Sequence, residues 1–298
     1  MRLHYTIPAF LLALSCAPPE PAECYVDVGR LNLPNDSWEP AAIAVAPDGT
    51  VYVGDSSLNC AVQIFDADGV YLGAIGGLGK GPGELFVPTD VAVGPNGKIY
   101  VAEFGTHRVS VFRPDGTFVK GVGERDLVAP FGVAVGVEGK MYVADVEAGG
   151  LLVFSPEGVL LETWGEDRDT GQILDVAVAP DGGVAYAPGA AGEVLFFTPG
   201  HADPLRLKTG EDAASVPAEV AFGPRGEFFI LGQRTDAGGT LEKFVAIFSP
   251  KGKLLEEVPL SLTSPSAVAV APDGTMYVAD GPRHEVRMYR PRRSDKLK

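Results

Sequence analysis

The chain has 298 residues, of which 46% are hydrophobic and 21% charged, a composition typical of a folded globular protein rather than a disordered or fibrous one. Its 38 glycines and 25 prolines are many for a helix bundle and typical of short strands joined by tight turns. The net charge of −15 argues against a nucleic acid partner, because nucleic-acid-binding surfaces are basic.

The N-terminus has the pattern of an export signal. Arg2 precedes a short apolar run at residues 5–14, and small residues follow it. This run is shorter than the ~18 residues that a membrane-spanning helix needs. The sequence Ala-Leu-Ser-Cys at residues 13–16 resembles the box before the lipidated cysteine of bacterial lipoproteins. We therefore predict a signal peptide at residues 1–15, a lipid on Cys16 and a proline-rich tether at residues 16–23.

Two other interpretations of the N-terminus stay open. One is cleavage after Ala17 and plain secretion, although Pro18 beside the cut disfavours it; the other is an uncleaved, buried segment. Lipidation of Cys16 predicts a place in the bacterial cell envelope, as an outer membrane lipoprotein or in the periplasm. The lipid would then be the protein's contact with the membrane.

One unit repeats six times along the rest of the chain. Its clearest anchor is a glycine turn followed by an alternating strand, as in Pro47-Asp48-Gly49 before Thr-Val-Tyr-Val. The anchor glycines are Gly49, Gly97, Gly139, Gly182, Gly226 and Gly274, at spacings of 48, 42, 43, 44 and 48 residues. Six anchors at this spacing predict six units of the size of a propeller blade.

The second unit shows four predicted strands in chain order. They cover residues 89–94, 98–102, 108–112 and 117–121, with Asn96-Gly97 and Asp115-Gly116 at two of the turns. Asx-Gly turns between alternating runs are a strong hairpin signal. The predicted fold class is all-β: a six-bladed β-propeller of four-stranded antiparallel blades.

The repeats also resemble a known family, the NHL repeat. The resemblance is carried by the stretch Tyr-Val-Ala-Glu-Phe-Gly-Thr-His-Arg-Val-Ser-Val-Phe at residues 100–112 and by the glycine-rich connector at residues 76–88. It spans residues 40–291. The resemblance is weaker in blade 4, where Ala187-Pro188 replaces the acidic turn. It is also weaker in blade 5, which has a longer loop at residues 233–242.

The sixth unit ends one strand short, at Pro291. The segment Cys24-Tyr-Val-Asp-Val28 alternates like an outer strand, so we predict that residues 25–28 complete blade 6 and close the ring. The propeller then covers residues 24–291. Residues 292–298 form a basic tail, which touches anionic lipid headgroups or stays solvated.

Three acidic residues share one register at the start of the first strand of their units. They are Asp90, Asp175 and Glu219, whereas the other units have Ala42, Gly132 and Ala267. Six such positions surround the mouth of the central channel, where carboxylate oxygens could hold Ca²⁺. Hydrogen bonds to backbone N–H groups, or plain exposure to water, explain the same residues. Without a cation, their mutual repulsion is expected to raise at least one pKa.

Two further sets of residues recur in the repeats. Acidic residues follow the second strand and are expected to accept hydrogen bonds from the following loop: Asp55, Glu103, Asp145 and Asp280. His107 and His284 each stand four residues after such an acid, and we interpret them as loop-packing residues rather than metal ligands. The connector holds no phosphate loop, because Ala74 replaces its first glycine and Gly81 its Ser or Thr.

If Cys16 carries lipid, Cys24 and Cys60 are the two cysteines that remain. Ring closure makes their blades neighbours, so a disulfide between them is one expectation and two buried thiols the other.

The sequence leaves two main function classes. The first hypothesis is a monomeric, non-enzymatic scaffold that binds a protein, peptide or glycan on its loop face, as the family resemblance implies. The alternative is an enzyme, since similar propellers include calcium-dependent lactonases and a zinc-dependent peptidyl-hydroxyglycine lyase. Such an enzyme needs a metal, and the acidic trio is the feature that could supply its site. A purely structural surface protein is a third interpretation, and the fold alone does not decide.

Overall fold

A computed structural model of the chain describes residues 25–33, 38–164, 173–188, 192–200, 203–209, 216–235 and 238–292. In these residues 24 β-strands form six antiparallel sheets of four strands, and the single helical segment is a 3₁₀ turn at Gly281–Arg283. The innermost strands of neighbouring sheets contact one another around a complete ring. The predicted six-bladed β-propeller is therefore confirmed.

The first three blades follow one another without interruption. Blade 1 contains β2 (Pro40–Val45), β3 (Val51–Asp55), β4 (Ala61–Phe65) and β5 (Tyr71–Gly76). Blade 2 contains β6 (Pro88–Val93), β7 (Ile99–Glu103), β8 (Arg108–Phe112) and β9 (Phe118–Val122). Blade 3 contains β10 (Pro130–Val135), β11 (Met141–Asp145), β12 (Gly150–Phe154) and β13 (Leu160–Trp164).

The other three blades complete the ring. Blade 4 contains β14 (Ile173–Val178), β15 (Val184–Pro188), β16 (Glu193–Phe197) and β17 (Leu205–Lys208). Blade 5 contains β18 (Val216–Phe222), β19 (Phe228–Thr235), β20 (Leu241–Phe248) and β21 (Leu254–Pro259). Blade 6 contains β22 (Pro265–Val270), β23 (Met276–Asp280), β24 (Glu285–Pro291) and, from the start of the chain, β1 (Tyr25–Leu31).

The ring closes through β1, as predicted, but over a longer segment. β1 pairs with β24 from Tyr25 opposite Pro291 to Leu31 opposite Val286, three residues beyond the expected end at Val28. A bulge between Asp27 and Gly29 lets the strand continue past Val28. Leu31 is fully buried, so the extra residues contribute an apolar contact to the core between blades 6 and 1.

The two faces of the ring carry different kinds of loop. We call the face on which each first strand begins the upper face; it holds the loops between second and third strands and the connectors between blades. The lower face holds the tight turns. There Gly97, at φ +73°, adopts the left-handed backbone that glycine takes most easily, and the N–H of Gly97 donates to Gly94 O at 2.9 Å.

The core lies between the blades rather than inside any one of them. Along β2, Ile43 and Val45 pack toward blade 6, whereas Ala42, Ala44 and Ala46 pack toward blade 2. Large side chains of one inner strand thus pack against small side chains of the inner strand in the next blade. The inner strands converge at the channel, so there is little room for two large side chains. The same division recurs in blade 4, where Val176 faces blade 3 and Ala177 faces blade 5.

Blade 5 corrects one expectation. Both ends of the predicted loop at residues 233–242 are strand, because β19 and β20 extend to eight residues each and pair as far as Thr235 opposite Leu241. Arg234 supports the extension: its Nε lies 2.9 Å from Glu242, its Nη1 lies 3.0 Å from Glu257, and its guanidinium lies 4.7 Å from the centre of the Phe244 ring. The ion pairs and the cation–π contact of Arg234 therefore stabilise strand pairing in a segment that the sequence predicted to be a loop.

The predictions for the N-terminus lie outside the described residues. These include the signal peptide, lipidation of Cys16, the tether and Cys24. Within the described part of the chain, no helix is long and apolar enough to cross a membrane.

Candidate functional site

The acidic trio lies where the sequence placed it, at the upper mouth of the channel. Asp90, Asp175 and Glu219 each follow a bulge that recurs at the same point of every inner strand, as between Pro88 and Asp90. A bulge re-aims the side chain that follows it. In these three blades it turns a carboxylate toward the next blade.

Each carboxylate accepts a hydrogen bond from the inner strand of the following blade. The N–H of Val133 donates to Asp90 Oδ2 at 2.7 Å, that of Val220 to Asp175 Oδ2 at 2.7 Å, and that of Val268 to Glu219 Oε2 at 3.0 Å. An inner strand is the edge of its sheet, so these N–H groups have no ladder partner. The trio therefore links blade 2 to 3, 4 to 5 and 5 to 6, which matches the hydrogen-bonding interpretation of these residues.

Burial raises the pKa values of all three acids, and charge repulsion adds to this effect at Asp90 and Glu219. Burial raises the pKa of Asp175 to about 6, against the opposing effect of the N–H groups of Val220 and Val176. Burial raises the pKa of Asp90 well above its usual range, and the charge of Asp175 adds to this. For Glu219, burial is again the larger cause, followed by the charges of Asp175 and Asp90. The expected repulsion within the trio is thus present.

The trio does not form a metal cluster in this structure. No three His, Cys, Asp or Glu side chains within the described ranges are grouped so that they could hold a metal ion. Each acid instead directs an oxygen at a backbone N–H of its neighbouring blade. As placed, these residues do not fit the Ca²⁺ site considered above, and titration with Ca²⁺ tests that hypothesis directly.

The acids at the ends of the second strands are anchors for the upper loops. Asp145 is fully buried and accepts hydrogen bonds from four backbone N–H groups, those of Val128, Ala129, Glu147 and Ala148, at 2.7–3.1 Å. Two of these donors belong to the following loop, as predicted. The other two belong to the connector that enters the same blade, which the sequence did not indicate.

Glu103 is equally buried but binds differently. It accepts from the N–H of Phe86 at 2.9 Å, from Arg108 Nε at 2.9 Å and from Ser110 Oγ at 2.5 Å. Its partners are therefore the connector and the third strand rather than the backbone of the following loop. The buried charge is compensated by Arg108, whose own side chain also donates to the carbonyl oxygens of Gly81 and Glu84.

The two register histidines join neighbouring blades. Nδ1 of His107 bonds the carbonyl oxygen of Val128, and Nδ1 of His284 bonds that of Trp38. Trp38 Nε1 donates to the carbonyl oxygen of His284 at 2.6 Å, so the two residues exchange bonds across the junction of blades 6 and 1. These contacts agree with a loop-packing role.

The upper face also carries a belt of exposed apolar side chains, which sequence reasoning missed. This upper belt consists of Leu58, Leu78, Val87, Phe104, Val128 and Phe131, with exposed fractions from 39% to 88%. The sequence did contain a signal for this belt, namely large apolar residues inside polar loops, such as Leu58 between Ser57 and Asn59.

Hydrogen bonds bring together the segments that carry the belt residues in blades 1 to 3. The N–H of Gly77 donates to Cys60 O at 3.1 Å, which brings the connector with Leu78 beside the loop with Leu58. The N–H of Phe104 donates to Val87 O at 3.0 Å. The bond from His107 to Val128 then extends the belt toward blade 3.

Val87 has an unusual backbone. Its φ of +54° lies in the left-handed region, which a β-branched side chain tolerates poorly. Such strain costs on the order of 1–3 kcal/mol and is concentrated at functional sites. A strained, exposed valine at the centre of the upper belt therefore marks this surface as more than a random scatter of apolar residues.

Cys60 is buried at the start of the third strand of blade 1. Its Sγ lies 3.3 Å from Ser57 O. Its predicted partner, Cys24, lies outside the described residues, so the disulfide stays a prediction.

Comparison with known proteins agrees with the repeat pattern. The NHL repeat family matches residues 87–112, which include the upper-belt residues Val87 and Phe104. A comparison with curated protein sequences gave no match.

Several solved structures share the fold at low sequence identity. A streptogramin B lyase structure superposes with a TM-score of 0.65 at 13% identity, covering 91% of this chain and 99% of the other. A catalytically inactive virginiamycin B lyase from Staphylococcus aureus, with quinupristin, gives 0.63 at 14% identity, covering 88% and 98%. Hydrazine synthase from Kuenenia stuttgartiensis gives 0.64 at 17% identity, also covering 88% and 98%. At these identities the likeness concerns the fold alone. The chain thus carries an NHL repeat match at residues 87–112 within a six-bladed β-propeller.

Proposed function

We propose that this protein is an exported, lipid-anchored binding scaffold that holds a protein or peptide partner on its upper belt without catalysing a reaction. The observation that carries the proposal is the belt itself. Six large apolar side chains lie exposed on one face of a protein with a net charge of −15. Contiguous exposed apolar surface is costly in water and is typical of interaction sites.

The loops that present the belt are held rigidly. Buried Glu103 binds the connector ahead of Val87, and buried Asp145 binds the N–H of Val128. A surface fixed before binding loses little conformational entropy when a partner docks, which favours affinity. A protein or peptide fits better than a glycan, because apolar side chains would cover the belt, whereas a sugar would bring mostly hydroxyl groups to it.

The enzyme alternative depends on the channel carboxylates. Asp90, Asp175 and Glu219 are occupied with backbone N–H groups of neighbouring blades. Similarity to lyases at 13–14% identity does not transfer their activity. Export and the lipid on Cys16 rest on the sequence pattern, and a Cys16→Ser variant is expected to leave the membrane fraction when the membranes are washed with 0.5 M salt.

Peptide selection tests the binding proposal without knowledge of the natural partner. A phage-displayed random peptide library is selected on the purified protein, and the enriched peptides are titrated against variants. Phe104→Ser and Val87→Asn should each weaken binding roughly tenfold or more, because a buried apolar contact is lost. Asn tolerates the left-handed backbone at position 87, so that variant should keep or gain stability.

Val137→Ser is the matched control. Val137 is also an exposed valine, but it lies in a tight turn on the lower face. Peptides that bind this control and the upper-belt variants equally well, or a library that yields no enriched peptide, would count against the proposal. Enrichment of ligands on a glycan array instead would assign the face to sugars.

A further inference from the structure

Both ends of the described chain leave the propeller at one place. Tyr25 pairs with Pro291 on the lower side of blade 6. The Tyr25 hydroxyl donates to Gly274 O at 3.2 Å, in the lower turn of blade 6, and the Tyr25 N–H donates to Glu256 Oε1 at 3.2 Å, in the outer strand of blade 5. The residues toward Cys16 and the basic residues after Arg292 therefore start at the lower junction of blades 5 and 6.

This junction is surrounded by exposed basic and apolar side chains. We call it the basic edge: Lys251, Lys253, Leu254, Leu255, Arg290 and Arg292, all exposed. Among the residues that the structure describes, none of these four cations is in an ion pair. Arg290 donates instead to the hydroxyl of Thr275. Arg293, Lys296 and Lys298 follow in the sequence.

The acids near the basic edge are few and mostly engaged. Glu227 pairs with Arg225, and Asp27 pairs with Arg287 at 3.0 Å. Glu256 accepts from Tyr25, and Asp273 accepts from the N–H and the hydroxyl of Thr275. The four cations of the basic edge outnumber the nearby acids Glu256 and Asp273, so the edge is a local positive surface on a strongly acidic protein.

We propose that the basic edge lies against an anionic lipid bilayer, so that the upper belt points away from the membrane. The inference rests on the proposed lipidation of Cys16 for the anchor, but the surface has its own test. From Cys16 to Tyr25 the chain can reach at most about 30 Å. An anchored protein therefore keeps its lower junction near the headgroups.

Charge and apolar contact act together at such a surface. Lysine and arginine side chains are attracted to anionic headgroups over about a Debye length, and adjacent leucines insert at the boundary of the acyl chains. Leu254 and Leu255 stand directly after Lys253, which places both kinds of side chain on one short segment. The upper belt carries the partner site, so this orientation leaves that site open to the aqueous compartment.

Vesicle sedimentation tests the surface separately from the lipid. The mature chain from residue 16, carrying Cys16→Ser, is mixed with vesicles of phosphatidylcholine containing 30% phosphatidylglycerol or none. Binding is expected to the anionic vesicles only and to be lost at 0.5 M salt. Lys251→Gln combined with Lys253→Gln should weaken it about 30-fold, from a factor of about five for each cation.

The matched control removes two cations from the opposite side of the ring. Lys98 and Arg113 lie on the lower rim of blade 2, and Lys98→Gln with Arg113→Gln should change binding less than twofold. Equal losses in the two pairs, equal binding to neutral vesicles, or no binding would overturn the inference. Failure of Cys16→Ser to release the protein from membranes washed with 0.5 M salt would instead refute the lipid anchor and leave the vesicle result standing.

Discussion

At the scale of single residues, Asp175 combines two opposing contributions to stability. Its carboxylate satisfies the N–H of Val220 in the next blade, which is favourable. Its burial makes the charged form costly and raises its pKa to about 6. The same side chain therefore joins two blades and makes their junction sensitive to pH.

Asp175→Asn should remove much of that pH dependence. The folded protein holds a proton on Asp175 up to about pH 6, whereas the unfolded chain releases it near pH 4, so the wild type loses stability as pH rises through this window. Asn keeps an acceptor for Val220 and has no charge. Urea unfolding should show the variant gaining roughly 3 kcal/mol on the wild type between pH 4 and pH 7.

Two controls separate this effect from metal binding and from simple loss of a contact. Asp175→Ala should lose about 1–3 kcal/mol at low pH, because the N–H of Val220 is left unsatisfied. Millimolar Ca²⁺ should leave the melting temperature of the wild type unchanged. A rise with Ca²⁺ that disappears in Asp175→Asn would support the metal-dependent enzyme alternative instead.

At the scale of elements, Asp145 ties one loop and one connector to the end of β11. Asp145→Ala leaves four buried or half-buried N–H groups without their acceptor and should cost at least about 3 kcal/mol. Hydrogen exchange should show lost protection at Val128, Ala129 and Ala148. Glu147→Ala, in the same loop but exposed, is the control and should change neither stability nor exchange. Retained protection in Asp145→Ala would contradict the anchoring role.

The sequence predicted the elements better than the contacts between them. In blade 2 the strand bounds agree within about one residue, since alternation and Asx-Gly turns are local signals. Asp145 was expected to bind its following loop, but its bonds to Val128 and Ala129 cross 16–17 residues of chain. The extended hairpin of blade 5 was missed because Arg234 stacks on Phe244, a partner that no local pattern reveals.

The sequence predicted the position of the acidic trio and gave its hydrogen-bonding role as one of the alternatives, but not the partners. The register of Asp90, Asp175 and Glu219 was correct, since repeats put equivalent residues at equivalent points of the ring. Their acceptance of N–H groups from the next blade depends on inter-blade geometry. The upper belt was missed because its members come from loops of three different blades, which only the folded ring brings together.

At the scale of the whole molecule, closure depends on one strand from the start of the chain. Deletion of β1 (Tyr25–Leu31) exposes β24 as a sheet edge and uncovers the core beside Leu31. We expect a lower melting temperature and concentration-dependent association, measured by calorimetry and analytical ultracentrifugation. Removal of residues 292–298, which lie beyond the last strand, should affect neither. A monomeric β1 deletion with unchanged melting would show that the ring does not need this strand.

The pairing of β1 with β24 also bears on the order in which the blades fold. Tyr25 and Pro291 lie at opposite ends of the propeller sequence yet are neighbours in one sheet. During synthesis or export, β1 emerges first and has no partner until the last blade follows. Contacts between distant parts of a chain form slowly, because loop closure must precede them. We therefore expect the pairing of β24 with β1 to be among the last steps of folding, and this step brings both ends of the described chain side by side.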